Sequence, residues 1–592
     1  TMKNATILPT SKVEANAAID LWVKGKVVVD NCVFGAADDT KQFMYNGLEF
    51  SQSEDYPMAD GTTISNCTFY GGSFRHNFIS FYRMAEGATI NINGNKFLNA
   101  NWNTTNAIRV SNYSNVSATI NLLNDTYSDH GDDSGKDYAG LLFFQQVVGH
   151  QDDFTQLTVN IENLDTTGAQ SNQLFYVYSD ITNKIISTDQ PVIKGDSSIE
   201  KFFAAKVGDT YYKTLPEAIA AAKDGETVIL LSDRKNFVTN TINANITIDL
   251  NGKTLSVGNN VSEMFKANGE VTIQNGTITS DMACAIVNAY NKLTLKNVKI
   301  TGVTGNNGKN LVNVCSNAEV TIDKDTVLTA SGSGVAVFVG VKDAADSATF
   351  KLNVYGKVIQ NSQTYAICGN GSYKGTTTIN IYDGAEVKSP TCVAMFLPQA
   401  GVTNIYGGLV EGKCAIGIKS GALNISGGTV RGTVNDNELS DDNSIGNGIS
   451  YDGSAIIVDS RATGYAGNVK INITGGTVES YYSTAIREIG NDSSKTQLTE
   501  LTVTGGNVFG ASQKTENVEN DMKVRDISVS NVSVSGGTFN HEVQSGYCAD
   551  KFVPVNNNDG TYGVKVDDTA YVAKLLNAQG AFVDAYNTLA DA

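Results

Sequence analysis

Two short acidic and basic pairs mark the last third of the chain. Asp459 and Arg461 follow the apolar dipeptide Ala455-Ile456, and Arg487 and Glu488 follow the matching Ala485-Ile486. A carboxylate beside an arginine can take up a proton or stabilise developing negative charge, provided that both pairs face one substrate. If the segments that carry them stack, the pairs share one face. The same arrangement also makes a cross-strand salt-bridge patch, the commoner use of exposed charge pairs. Tyr451, Tyr481 and Tyr482 lie nearby in sequence and could stack on a sugar ring.

A second acidic group lies in Asp129-His130-Gly131-Asp132-Asp133-Ser134-Gly135-Lys136-Asp137. Asp129, Asp132, Asp133 and Asp137 could ligate calcium through carboxylate oxygens, but their spacing is not that of a known calcium loop and favours a solvated turn. The four histidines, His76, His130, His150 and His541, sit in no Gly-His-Gly segment. Eight cysteines are scattered without a Cys-x-x-Cys pair or a neighbouring histidine, so they read as small buried side chains rather than zinc ligands. Cys32 and Cys67 occupy one place in two matching segments. No resident cofactor is expected, calcium being the one ion for which ligands are present.

Of 592 residues, 61 are acidic and 43 basic, a net charge of −18. Without a basic field or a Lys/Arg run to draw in a nucleic-acid backbone or an anionic membrane surface, nucleic acid is not expected as a partner. No stretch reaches about 20 uncharged apolar residues, so no membrane insertion is expected. Thr1 to Thr10 lack the charged-then-apolar pattern of a signal segment, as in a chain that begins after processing. With 57 glycines, 7 prolines and abundant Val, Ile, Asn and Thr, the composition suits many short strands joined by tight turns.

A repeat must position these groups. Ile246-Thr247-Ile248, Val271-Thr272-Ile273, Leu293-Thr294-Leu295, Val320-Thr321-Ile322, Leu352-Asn353-Val354, Ile379-Asn380-Ile381, Thr403-Asn404-Ile405, Leu423-Asn424-Ile425, Ile471-Asn472-Ile473, Leu501-Thr502-Val503 and Val532-Ser533-Val534 share one pattern. Later copies run into Gly-Gly turns, as in Ile425-Ser426-Gly427-Gly428-Thr429-Val430. Period-2 alternation, β-branched residues and glycine turns point to strands, and the frame of leucine-rich repeats does not recur. If the 48-residue gap from Ile425 to Ile473 hides a degenerate copy, the 286 residues from Ile248 to Val534 make about eleven steps of roughly 26 residues. A second run, from Ala285-Ile286 through Ala336-Val337, Ala366-Ile367, Ala394-Met395 and Ala415-Ile416 to the dipeptides named above, is out of phase with the first. Each copy thus carries at least two strands, and stacked copies about 4.8 Å apart would merge their Val and Ile into one core.

The first third carries a variant. Val29-Asp30-Asn31-Cys32-Val33-Phe34, Ile64-Ser65-Asn66-Cys67-Thr68-Phe69, Ile92-Asn93-Gly94-Asn95-Lys96-Phe97 and Leu122-Leu123-Asn124-Asp125-Thr126-Tyr127 each set an aromatic five places after an apolar residue, with Asn or Gly between. Asn tolerates left-handed backbone and can bond to its equivalent in the next copy, while stacked rings fill a wide corner.

Open sheet edges need lids. Thr214-Leu215-Pro216-Glu217 is a capping box that starts a short helix near 214–224, ended by Gly225. Asn558-Asp559-Gly560 is a turn before a final strand. From Asp567 on, Leu575, Phe582 and Leu589 fall seven apart and predict a C-terminal helix, packed on the last copy or used in self-association. Three domains follow: 1–198, β-helix-like with long loops; 199–566, the main stack with its caps; and 567–592, helical.

The stretch from about Ala204 to Val566 resembles the pectin-lyase-like right-handed parallel β-helices. Val207-Gly208-Asp209-Thr210-Tyr211-Tyr212-Lys213-Thr214-Leu215-Pro216-Glu217-Ala218-Ile219 is similar to the opening module of bacterial extracellular β-helix proteins. Gly536-Gly537-Thr538-Phe539 through Asp559-Gly560-Thr561-Tyr562 is similar to their closing module. Residues 20–170 resemble phage tailspike and fibre-type virion proteins. The resemblance implies an all-β solenoid located outside the cell, on a virion or bacterial surface. It does not carry activity. Glycan-cleaving members set paired acids, or an acidic calcium cluster with a basic residue, on one outer face, and neither set is complete here. The expected function is therefore a non-enzymatic structural or adhesive surface protein whose partners are other proteins of a surface or virion assembly and surface glycans, with homo-oligomers open. A glycan-binding module and a polysaccharide lyase or hydrolase are the alternatives.

Overall fold

The computed structural model describes every residue except 11–12, 15–16, 38–40, 44, 51–52, 72–73, 75, 101–105, 114, 130–139, 151, 171–172, 435–443, 446–448, 451, 461–464, 491–493, 514–524, 581 and 592. The described residues are all-β apart from the helix Leu215–Ala221 and short 3-10 turns. They pack as two compact units, one of residues 1–221 with 228–232 and one of 222–227 with 233–592.

In the first unit, short strands pair in parallel with their equivalents one repeat on. One ladder joins Met2–Lys3, Val28–Asp30, Thr63–Ser65, Thr89–Asn93, Ala118–Leu123, Leu157–Glu162 and Val192–Gly195. A second runs from Thr6–Ile7 to Asp165–Gly168, and a third from Ile19–Leu21 to Phe175–Ser179. The corner between the first two is the Asn-aromatic motif. Asn31, Asn66, Asn124 and Asn163 turn the chain in left-handed conformation, with φ between 51° and 56°. The next position links the rungs: Cys32 N–H donates to Cys67 Sγ (3.4 Å), Cys67 N–H to Asn95 Oδ1 (2.9 Å) and Asn95 N–H to Asp125 Oδ1 (2.7 Å). Behind it, Phe34, Phe69 and Phe97 stack at 4.6 and 5.4 Å, and Tyr127 is buried in the same corner.

The parallel ladder of this unit ends where Val192–Gly195 pairs antiparallel with Thr210–Tyr212, which also pairs with Ala205–Val207. The helix Leu215–Ala221 begins with the expected capping box, Thr214 N–H to Glu217 Oε2 (3.2 Å) and Glu217 N–H to Thr214 Oγ1 (3.3 Å).

The second unit has three longer parallel ladders. Ile248, Ile273, Leu295, Ile322, Val354, Ile381, Ile405, Ile425, Ile473, Val503 and Val534 stand opposite one another in unbroken register, all buried. Beside them, Asn353, Asn380, Asn404, Asn424 and Asn472 pass amide bonds up the ladder at 2.8–2.9 Å. Ile425 pairs directly with Ile473, so the long gap is an insertion within one rung and not a hidden copy. The 286 residues thus make ten steps of about 29. The second ladder carries Leu255, Ile278, Ile300, Leu328, Val358, Val387, Val410, Val430, Val478, Val508 and Phe539. The third carries Phe265, Val287, Val312, Val337, Ile367, Met395, Ile416, Ile456, Ile486 and Ile527. Here the dipeptide alignment slips by one at its start, because Val287 rather than Ile286 matches Val337. Glycine pairs turn the chain between ladders; Gly428 has φ +71°, and a Cβ there would lie 2.5 Å from the Gly407 carbonyl carbon.

The C-terminal segment is not the expected helix. Ala573–Leu576 and Phe582–Tyr586 form an antiparallel hairpin. Asn577 Oδ1 accepts from Gln579 N–H (3.0 Å) and Gly580 takes φ +80°, a turn that breaks the heptad-like spacing. The hairpin is tied down by Lys551, whose ammonium donates to Asp584 (2.5 Å) and to the Ala585 carbonyl (3.0 Å). Val572, Leu576, Val583 and Leu589 are left exposed.

Asp125 closes its corner at a cost. Burial pushes its carboxyl up to about 7, against hydrogen bonds from Asn95 that lower it, and its Oδ2 has no partner among the described residues. A carboxyl whose folded value is raised contributes stability that is full below its unfolded value near 4 and is lost as pH rises through about 7. Asp125→Asn can instead repeat the bond that Asn95 makes to the Ile64 carbonyl, one rung on at Ile92. Urea unfolding is expected to show the variant gaining on wild type between pH 4 and 8, by about 2–4 kcal/mol at the upper end. A pH-independent difference would contradict this account.

Candidate functional site

Of the charged pairs at 459–461 and 487–488, Asp459, Arg487 and Glu488 lie among the described residues. Asp459 ends the strand Ile456–Asp459 wholly buried, opposite Ile489, and its backbone carbonyl accepts from the ammonium of Lys419, also wholly buried. Arg487 stands opposite Ile457 and donates to Asp452 Oδ2 at 2.6 Å. Asp452 is fully buried, and its Oδ1 accepts from Ser454 N–H at 3.0 Å. Glu488 Oε2 accepts from the N–H (2.9 Å) and hydroxyl (2.6 Å) of Ser530. Arg461 and Tyr451 lie outside the described residues. These bonds fasten part of the 425–473 insertion to the third ladder.

Beneath it, Cys368, Cys392, Phe396, Cys414 and Ile457 form a second apolar cluster, with Tyr465 packed on Phe396 at 6.3 Å. Lys419 and Asp452 leave little trace in the sequence beyond a charged residue flanking an apolar run. Tyr481 meets Tyr482 edge-on at 6.3 Å, and the Arg431 guanidinium lies 5.4 Å over its ring. A cross-rung ionic patch does exist, on the second ladder: Arg431 bridges Glu411 (3.0 Å) and Glu479 (2.6 Å).

Asp129 is buried and accepts from Gln170 N–H at 2.8 Å, while Asp132, Asp133 and Asp137 lie outside the described residues. Among the described residues no three His, Cys, Asp or Glu side chains gather as a metal site. His541 Nδ1 is 3.0 Å from Asp526, which also accepts the backbone N–H groups of Gly510 and His541 and so serves a turn. No helix among the described residues is long and apolar enough to cross a membrane.

A groove of about 550 Å³ opens on the outer side of the third ladder of the second unit. In Ala285–Ala289, Val312–Val314 and Val337–Val339, alternate residues Val287, Val312 and Val337 point into the core, which leaves Asn288, Asn313 and Phe338 on the outer face in register. The amides form a chain: Asn310 donates to Asn313 (2.7 Å), Asn313 to Asn288 (2.5 Å) and Asn288 to Glu263 Oε1 (2.5 Å). Tyr290, Tyr373 and Phe338 add aromatic surface, Phe338 and Tyr373 lying 6.0 Å apart at 66°. Lys309 and Lys342 stand on the rim, neither paired with a carboxylate among the described residues.

Two titratable groups of the groove are held in their neutral forms. Burial, with Cys315 and Glu263 nearby, pushes the Tyr290 phenol up to about 12, and burial pushes the Cys315 thiol up to about 11. Both stay protonated at neutral pH, so neither is a ready base or nucleophile. Flat aromatic faces, fixed amides and ammonium groups suit a polyhydroxylated ligand. No protein-family model, curated protein or solved structure matches this chain.

Replacing Arg487 with Met should leave the Asp452 carboxylate buried without its counter-ion and cost about 3 kcal/mol. Hydrogen exchange is expected to speed up first at residues 453–459, while the rung around Ile381 stays protected. Equal protection in both forms would mean that the ion pair does not hold the insertion.

Proposed function

We propose that this chain is a non-enzymatic structural and adhesive surface protein, a right-handed parallel β-helix of the pectin-lyase-like type, serving as a virion decoration or fibre component or as a bacterial surface rod. The observation that carries this reading is the use made of polar groups. The amide ladder, the ionic patch and the pair between Arg487 and the buried Asp452 are spent on bonds between rungs, as suits a load-resistant scaffold and not a reaction centre. Three parallel ladders per repeat support the β-helix assignment; a density map of the intact protein that traces the chain's handedness checks it.

Glycan binding is the adhesive part of the proposal, favoured by the aromatic and amide groove at Tyr290, Phe338 and Tyr373. Attachment to an assembly would use 567–592, whose hairpin leaves Val572, Leu576, Val583 and Leu589 exposed. On an array of neutral and acidic glycans, wild type should retain a subset, and Tyr290→Ala with Tyr373→Ala should weaken that signal about tenfold without changing the circular dichroism. If no glycan is held, the adhesive part fails and the scaffold part stands. Turnover of any polysaccharide that vanishes with Arg487→Met would replace both with the enzyme reading. Deleting 567–592 is expected to keep the β-sheet signal yet reduce oligomerisation or incorporation into the assembly.

A further inference from the structure

The first unit holds a cavity of about 450 Å³ where its parallel ladder gives way to antiparallel pairing. Its wall is largely apolar and aromatic: Phe175, Pro191, Ile193, Phe203 and Tyr211, with Phe203 and Tyr211 in ring contact at 5.3 Å. Two polar groups in that wall are incompletely served. The Lys213 ammonium donates one bond, to the Phe175 carbonyl at 2.8 Å, and lies 3.8 Å from the centre of the Phe175 ring. Its nearest acid, Glu217, is engaged in the helix capping box and makes no salt bridge to it. Two of its three N–H donors are therefore without a protein acceptor among the described residues. Gln190 is held by its Nε2 on the Ile186 carbonyl (2.9 Å), and its buried Oε1 receives no donor.

An uncompensated cation and a spare acceptor beside an apolar, aromatic space together define a ligand. It must bring negative charge to the lysine, a hydrogen-bond donor to the glutamine and a flat apolar body to the rings. We propose that this cavity binds a small aromatic carboxylate that carries a ring hydroxyl, with Lys213 as counter-ion and Gln190 Oε1 as acceptor of the hydroxyl. This site is separate from the groove at Tyr290 and does not depend on the reading given for it. Burial pushes the Lys213 ammonium down to about 8, against the charge of Glu217, which raises it. A bound carboxylate would favour the charged form, so affinity should fall as pH rises through that range.

The test is titration of the full chain with 3- and 4-hydroxybenzoate, and with the matching hydroxybenzamides, followed by calorimetry and ligand-observed NMR at pH 7 and 9.5. At pH 7 at least one acid should bind about tenfold more tightly than its amide, the preference should shrink at pH 9.5, and Lys213→Met should remove it. Gln190→Leu should weaken that hydroxybenzoate more than benzoate itself. Equal affinity for acid and amide, no binding up to about 10 mM, or a preference that survives in Lys213→Met would overturn the proposal. The acid and amide are compared on the wild-type protein, so a misfolded variant cannot imitate the expected result.

Discussion

Parallel pairing of each strand with its equivalent one repeat away is the constraint from which most of the structure follows. When a strand lies over its equivalent one repeat earlier, each side chain meets the side chain of the same position about 4.8 Å away. A position is then acceptable only if its residue packs against, or bonds to, its own kind. Val and Ile satisfy this in the three core ladders; Asn does so with one amide donating and accepting, as from Asn353 to Asn472. Phenylalanine does so by ring stacking in the corner of Phe34, Phe69 and Phe97. Like charges cannot, which is why Glu411, Arg431 and Glu479 alternate in sign on the outer face of the second ladder.

The same constraint limits where binding sites can arise. A position repeated on every rung yields a uniform surface, whereas a concave site needs the pattern to be broken. The groove at Asn288, Asn313 and Phe338 forms where the outward residue of one ladder changes from amide to aromatic and flanking loops supply Tyr290, Tyr373, Lys309 and Lys342. The cavity at Lys213 forms where parallel pairing stops. The stretch between Ile425 and Ile473 shows the opposite outcome: its Tyr465 packs on Phe396, and Cys368, Phe396 and Ile457 are buried in one apolar cluster.

Burial also decides which titratable groups remain available. Seven of the eight free cysteines are buried, and those at 67, 284, 315 and 368 are pushed upward by desolvation, so they behave as apolar filler. Desolvation acts in the other direction on Lys213 and leaves it readily neutralised. One physical effect thus silences the thiols and makes a lysine responsive, because the charged form is what burial penalises in each case.

Period and residue type were enough to read the strands, the core positions and the corner motif from sequence, since a residue that must stack on itself recurs visibly. The capping box at Thr214 was legible for a similar reason: its bonds span three residues and need no distant partner. Distance along the chain marks where that legibility ends. The 48-residue gap could hold a copy or an insertion, and only the pairing of Ile425 with Ile473 decides between them. Leu575, Phe582 and Leu589 suit a helix by spacing alone, but the turn at Asn577 to Gly580 and the anchor from Lys551 make a hairpin. Asp459 and Arg487 could be placed on neighbouring rungs from sequence, whereas the burial of Asp459 and the ties to Lys419 and Asp452 join residues far apart along the chain. The groove and the lysine cavity gather residues from separate turns, whose proximity is set by tertiary packing and leaves no period in the sequence.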